Sequence, residues 1–395
     1  MIRTTTATII ALIVNIAFAG EWDLTGFTGV DTRAFWQDAR FPRQHDGIDL
    51  SFILQPEFYW RSDNGAQRVS IVGFGRLDFQ DDERSHGDLR EALWGYEAGS
   101  WDFNAGIGKV FWGVTESRHL VDVINQTDFV EDIDGEDKLG QPMINFNLQK
   151  DYGRFEFYAL PWFRERTFPG AEGRFGLPLP VDIDDPLYES SDEEKHVDFA
   201  FRYSHYFGDL DLGLHLFDGT SREPGLQISP EAGRLIPTYG QMTQFGVDLQ
   251  YTRDAWLWKL EAIGRDTSAD TFAAAVGGFE YTFYGVRESA IDIGLLMEYQ
   301  YDGRDAGSPP TPFDNDLFVG SRIAFNDASD SSILAGFTID VDSHETFLNL
   351  EAERRLGDRF SAELRLRSVV NAKRGSPLHA FEQDDYVQLR LNWYY

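Results

Sequence analysis

The strongest constraint on what this chain can fold into is an alternation of period two. In "SAIDIGLLMEYQYD", Ile291, Ile293, Leu295, Met297, Tyr299 and Tyr301 share one face, opposite Asp292, Gly294, Glu298 and Gln300. Successive side chains of a β-strand point to opposite sides, so each such segment is a ribbon with one apolar and one polar face. "KHVDFAFRYSHY" sets Val197, Phe199, Phe201 and Tyr203 against Asp198, Ala200, Arg202 and Ser204. "RFSAELRLRS" sets Phe360, Ala362, Leu364 and Leu366 against Ser361, Glu363, Arg365 and Arg367. About 18 such segments follow one another from residue 21 onward with almost no helical pattern between them, two of them read as 100–114 and 153–164.

The connections alternate as well. After even-numbered segments they are short: "SDNGA", "GS", "DYG", "FGD", "RD", "YGVRES", "NDASDS" and "LGD". After odd-numbered segments they are mostly long, at 115–140, 165–194, 220–238, 303–313 and 372–382, with "DTSAD" and "DSHE" as short exceptions. Short turns on one side, long loops on the other and an even strand count describe an outer-membrane barrel. The expected fold is therefore all-β, a transmembrane antiparallel up-and-down β-barrel of about 18 strands, with 16 as the nearest alternative count.

Aromatic positions sort to strand ends in the same way. The turn side carries Trp22, Trp60, Trp101, Tyr206, Phe207, Tyr251, Trp256, Tyr284 and Trp393, and the loop side Trp36, Phe111, Trp112, Trp162 and Tyr301. Amphipathic rings gather at the two membrane interfaces. In the closing "DYVQLRLNWYY", Val387, Leu389, Leu391, Trp393 and Tyr395 are expected to meet lipid, and Gln388, Arg390 and Asn392 water.

The N-terminus "MIRTTTATIIALIVNIAFAG" joins Arg3, a short apolar run and Ala17-Phe18-Ala19, the pattern of a secretory signal. Residues 1–19 are expected to be that signal and 20–395 a single barrel domain, with no room for a plug or energy-coupling segment ahead of the first strand. The chain has no cysteine, which excludes a disulfide framework and thiolate metal sites. Its 66 acidic residues against 35 basic ones exclude a nucleic-acid partner, which requires a basic footprint.

The signal sequence, the amphipathic strands and a last strand ending in an aromatic residue together resemble Gram-negative outer-membrane porins. The resemblance implies residence in the outer membrane, with lipid and lipopolysaccharide around the wall and with Trp393 and Tyr395 read by the barrel-assembly machinery. A homo-oligomer is left open. "GKVFWG" with "VDVINQTD" is similar to a stretch of uncharacterised proteobacterial barrel proteins.

The polar face supplies the candidate site. Arg202, Arg322, Arg365, Arg367, Arg390, Asp198, Asp248, Asp292, Glu298 and Glu363 are expected to line the pore, with Arg61, Arg76, Arg154, Glu57, Asp78, Glu156, Glu351 and Glu353 also inward. The expected function is passive diffusion of small hydrophilic solutes with a modest cation preference, because carboxylates outnumber arginines. A barrel for a specific hydrophobic or oligomeric substrate is the alternative. An outer-membrane hydrolase comes third, since the chain holds neither G-x-S-x-G nor H-E-x-x-H and its histidines stand in no recognised motif. No cofactor or metal is expected: the acidic "DFVEDIDGEDK" places Val130 and Gln141 where an EF-hand needs ligands.

Two local features raise questions. The loop 115–140 carries Leu120, Val121, Val123, Ile124, Phe129 and Val130, more apolar surface than a solvated loop exposes, so it either caps the mouth or folds back against the inner wall. In the second case Asp122, Asn125 and Asp128 would sit beside the lumen as a constriction. Strict alternation also points Lys109 at lipid, unless it snorkels or a bulge at Gly106 or Gly108 turns it inward.

Overall fold

A computed structural model describes residues 20–231 and 233–395. Residues 1–19, read as a signal peptide, lie outside the described residues. The first third of the wall comprises β1 (Gly20–Phe35), β2 (Ile48–Ser62), β3 (Gln67–Asp78), β4 (Gly87–Ala98), β5 (Trp101–Gly108) and β6 (Gln141–Lys150). It continues through β7 (Gly153–Leu160), β8 (Asp198–Phe207), β9 (Leu210–Thr220), β10 (Gln241–Arg253), β11 (Trp256–Thr267) and β12 (Thr271–Phe283). The last six strands are β13 (Asp292–Asp302), β14 (Asn315–Ala324), β15 (Ser332–Asp340), β16 (Thr346–Arg355), β17 (Phe360–Asn371) and β18 (Tyr386–Tyr394).

All eighteen strands belong to one sheet. Each strand pairs antiparallel with its neighbours in sequence, and β1 closes the ring against β18 in a register that sets Thr28 opposite Trp393 and Asp31 opposite Arg390. With neighbouring strands about 4.8 Å apart, eighteen tilted strands enclose a ring roughly 30 Å or more across, wider than the wall's own side chains can fill. The count is the expected 18.

Alternation decides what each face meets. On β13, Leu295, Met297, Tyr299 and Tyr301 are each more than a third exposed on the outer surface, while Glu298 and Gln300 between them are buried inside. The outward apolar surface continues around the ring through Phe52, Leu54, Phe157, Phe199, Phe245, Leu364 and Leu391. Hydrocarbon is the solvent that tolerates such a belt, and closure leaves no strand edge unpaired within it. Trp22, Tyr206 and Tyr284 stand exposed on the turn side, and Trp36, Trp162 and Tyr301 on the loop side.

Two strands end earlier than their alternation suggests. β5 stops at Gly108 and β7 at Leu160, so Lys109 to Val114 and Pro161 to Arg164 leave the wall. The pairing of β4 with β5 runs through Gly106 without a register shift, so no bulge accounts for Lys109. Lys109 is exposed just beyond the strand end. Gly106 does mark a tight place: at φ +135°, a Cβ there would stand 2.1 Å from the Ala92 carbonyl oxygen. Because the chain turns inward after Gly108, Phe111 and Trp112 are not part of the loop-side aromatic girdle. Trp112 is buried inside the barrel, and Phe111 meets the His119 ring edge-on. On the turn side, Trp60 is buried as well.

The seam between β1 and β18 yields a direct test. Deleting Trp393, Tyr394 and Tyr395 removes the pairings of Thr28 and Phe27 and the Tyr395 amide bond to the Gly26 carbonyl. The truncated chain is expected to lose the fast-migrating, heat-modifiable band of a closed barrel on a cold gel, and retention of that band at wild-type yield would contradict this account of closure.

Candidate functional site

Residues 109–140, between β5 and β6, do not cap the mouth. They run through the interior as a strap held in the loop-side half of the barrel, where its anchors Arg33, Arg76, Arg90 and Asp302 lie near the loop-side ends of their strands. The apolar half of the strap, Trp112, Leu120, Val121, Val123 and Ile124, is buried against Met143, Tyr158, Leu160, Ala200, Phe217, Met242, Ile263, Phe272, Ala274 and Val276. These partners are inward-facing residues of β6 to β12, where the polar face of the wall is interrupted by an apolar patch. Burying five large side chains there supplies the area-driven part of docking.

The acidic half meets the opposite wall, which is rich in arginine. Arg76 on β3 binds Glu131 through Nε and Nη2, at 2.7 and 2.5 Å, and reaches Asp31 through Nη1 at 3.1 Å. Arg365 and Arg367 on β17 hold Asp132 at 2.9 Å and Asp134 at 2.8 Å respectively. Arg90 on β4 binds Asp128, and Arg33 on β1 donates to the Glu131 carbonyl at 2.5 Å. Asp31 is shared by Arg76 and Arg390, which approaches it at 3.0 Å. Each buried carboxylate here faces a guanidinium, the arrangement that makes burial of charge tolerable.

Between these halves, two wall glutamates accept the strap's backbone. Glu261 on β11, fully buried, accepts the amides of Val114 at 2.8 Å, Thr115 at 3.1 Å and Val121 at 3.2 Å, and the Thr115 hydroxyl at 2.7 Å. Glu298 on β13 accepts the amides of Glu116 and Ser117, both at 2.8 Å, and the Ser117 hydroxyl at 2.6 Å. Glu116 in turn reaches Arg322 on β14 at 2.5 Å. Gly113, at φ +152°, lies where a Cβ would meet His119 at 2.9 Å and Glu261 at 3.1 Å, so the strap's approach to this wall depends on glycine there. His119 stands between Glu136 at 3.1 Å and Glu261 at 3.7 Å. Burial opposes its charge, but the two carboxylates outweigh burial and push the imidazole up to about 10.

A second long loop, 161–197, lies over the strap. Its Thr167 hydroxyl donates to Asp128 at 2.6 Å. Its Arg174 is buried against Asp384 at 3.0 Å and the Gln383 carbonyl at 2.5 Å, and Phe175 packs with Phe35 and Tyr386. Burial pushes the Asp384 carboxyl up to about 7 despite Arg174. A hairpin of Gly225–Ser229 with Arg234–Tyr239, joined by Leu187–Tyr188, completes a small three-stranded sheet on this side. Arg222 before it donates to the Ile124 carbonyl at 3.0 Å and pairs with Asp198 at 2.6 Å.

The structure gives the sequence-derived candidates distinct places. Asp122, Asn125 and Asp128 are inside the barrel yet buried, and therefore do not line an open passage. Asp122 is 3.2 Å from Lys138, and Asn125 braces the strap by bonding the Val110 amide, the Gly108 carbonyl and the Leu139 carbonyl. Arg202 pairs with Asp248 at 2.8 Å beneath the Trp112 ring. Arg390 lies 3.8 Å from Glu363, which accepts the Asn392 amide at 2.8 Å. Asp292 accepts the Gly285 amide and the Asn326 side chain, both at 2.8 Å, and so fastens two turns instead of standing along the bore. Period-two reading placed Glu298, Arg365 and Arg367 inside but could not say that they hold the strap. Glu261 escaped it altogether, although its inward position follows from the same alternation.

No protein-family model and no curated protein matches this sequence. Among solved structures, the fold is similar to Wzi, described as an outer-membrane protein of group 1 capsule assembly in Escherichia coli and a carbohydrate-binding β-barrel. The identity is 10% and the TM-score 0.54, covering 95% of this chain and 85% of that one. The fold is that of an outer-membrane β-barrel. An engineered variant of the Rh. blastica porin aligns at 9% identity with a TM-score of 0.48, covering 95% of this chain and all of the porin. OmpT of Vibrio cholerae aligns at 11% identity with a TM-score of 0.44, over 95% and 98% of the two chains.

The strap's anchors make two predictions. Glu261→Ala takes this acceptor from three strap amides and the Thr115 hydroxyl and leaves His119 to Glu136 alone, a loss of about 3–5 kcal/mol by analogy with broken buried pairs. The expected result is a barrel that still shows heat-modifiable migration but whose strap is cut by protease; a strap as resistant as wild type would contradict the anchoring role. The second concerns pH. His119 has its ordinary value of 6.5 raised to about 10 on docking, so its stabilisation is fully present below pH 6.5 and is lost as pH rises through about 10. Strap cleavage should therefore accelerate between pH 7 and 10, and His119→Gln should flatten that dependence.

Proposed function

We propose that this barrel is a passive outer-membrane channel for small hydrophilic solutes, narrowed in its loop-side half by residues 109–140. The observation that carries the reading is the strap itself, fastened to strands on both sides of a lumen that is too wide to be filled by its wall. On the turn side of the strap the inner face holds Glu57, Arg61, Arg154, Glu156, Glu351 and Glu353, all at least partly in reach of water. Such a hydrated, charged vestibule suits polar solutes and disfavours apolar ones.

The vestibule supports a modest cation preference: Glu351 is paired with Arg367 and Glu156 with Arg154, which leaves Glu57 and Glu353 against Arg61. The strap's own carboxylates contribute less, because Asp128, Glu131 and Asp132 are neutralised by Arg90, Arg76 and Arg365. His119 and His215 are both occupied in strap packing, His119 between carboxylates and His215 against Trp112, which favours transport over hydrolysis. In this reading lipid and lipopolysaccharide surround the belt, and the barrel-assembly machinery engages Trp393 and Tyr395.

Planar-bilayer recording tests the proposal. The wild-type protein should give small, steady conductance steps with a reversal potential on the cation side at low salt. Replacing residues 118–132 with a short Gly/Ser linker should raise conductance and solute exclusion size. It should also shift selectivity toward anions, because Arg76, Arg90 and Arg365 lose their acidic partners. A folded wild-type barrel that passes no current would make the strap a seal and overturn the channel reading; an unchanged conductance in the linker variant would overturn the constriction.

A further inference from the structure

We infer that the loop-side ends of β13, β14 and β15 form a divalent-cation site of the kind that takes Ca2+. Asp314, Asp316 and Asp340 each present a carboxylate oxygen, and the three oxygens lie within 4.8 Å of one another. Two oxygens that share one Ca2+ at about 2.4 Å stand no more than about 4.8 Å apart, so every pair in this group meets the spacing that a shared ion requires. Asp316 and Asp340 are buried, whereas Asp314 is exposed on the outer side. The arginines at this end of the wall are committed elsewhere: Arg118 and Arg304 both bind Asp302 at 2.8 Å. Three carboxylates, two of them out of water, thus converge with no cationic side chain paired to them among the described residues.

An independent observation points into the same place. Gln300 is fully buried, and neither its amide oxygen nor its amide nitrogen has a hydrogen-bond partner. It sits directly across from Asp316, which sits directly across from Asp340, so the three inward side chains form one row over adjacent strands. A buried amide left unpaired requires an explanation, and a bound ion supplies one for its carbonyl oxygen. The carboxylates are oriented by the backbone, as protein ligands to Ca2+ commonly are: Asp316 accepts the Asn315 amide at 3.1 Å, and Asp340 the amides of Asp342 at 3.0 Å and Ser343.

The donor set decides the class of ion. Three carboxylates and an amide carbonyl are all hard oxygen ligands, with no imidazole or thiolate to favour Zn2+ or Cu2+. The open side, at Asp314, leaves positions for water in the six to eight that Ca2+ takes. The other cluster of similar closeness, His86, Asp128 and Glu131, differs in that Arg90 and Arg76 already neutralise it. Phe313, next to Asp314, gives its carbonyl to Arg118 of the strap at 2.9 Å, so the ion lies one residue from a strap anchor.

The test uses the full barrel in detergent micelles, freed of metal with chelator and titrated calorimetrically with CaCl2, MgCl2 and ZnCl2. One Ca2+ per chain is expected, with Mg2+ at least tenfold weaker. Asp316→Asn with Asp340→Asn should weaken Ca2+ at least tenfold and, by removing carboxylate repulsion, should melt no lower than wild type in chelator. Gln300→Leu should weaken binding about threefold or more, and Asp184→Asn with Asp185→Asn, in an exposed acidic loop, should leave it unchanged. If the double variant does not fold, Asp314→Asn at the exposed position serves in its place and must show the same direction of loss. No saturable Ca2+ site in the wild type, wild-type affinity in the ligand variants, or preference for Zn2+ would each overturn the inference.

Discussion

Hydrocarbon offers no water to an unpaired backbone amide, and every other feature of this molecule follows from that constraint. A strand in the belt must be paired along both edges, so the sheet must close, here through β1 against β18. Closure with eighteen strands fixes a ring whose interior exceeds what alternate side chains can occupy. The lumen is thus a consequence of pairing, and what lies in it becomes a separate problem for the sequence to solve.

That problem is met by one amphipathic connection. The strap 109–140 turns its apolar residues to the patch on β6 to β12 and its acids to the arginines of β1, β3, β4 and β17. The two halves do different work. Apolar burial is non-directional and draws the segment against the wall, whereas the paired charges admit few alternative positions, because a shifted strap would leave buried carboxylates facing nothing. Glu261 and Glu298 add acceptors for strap amides that have no strand partner, the accounting that any buried, irregular backbone must satisfy.

The inward charges therefore have a different meaning from that of an open pore. Arg76, Arg365 and Arg367 are ligands of the strap more than lining of a bore, and Asp31 gathers Arg76 and Arg390 at the closing seam. The turn-side half of the inner face remains a hydrated vestibule. One lumen is thus divided into a packed outer half and a wet inner half.

The sequence by itself determined an all-β chain of about eighteen strands, the side that most strand residues face and the side each connection lies on, because strand alternation is local: the neighbour at i+2 decides it. It could tell that 115–140 was too apolar for a free loop, but not where the loop went, nor that β5 ends at Gly108 and releases Lys109 from the wall. Only the tertiary structure decided those, along with the role of Glu261. The contacts concerned join Thr115 to Glu261, 146 positions apart, and Asp132 to Arg365, 233 apart. No period in a chain marks such pairs; they exist because a closed ring brings opposite strands to face one another across a gap.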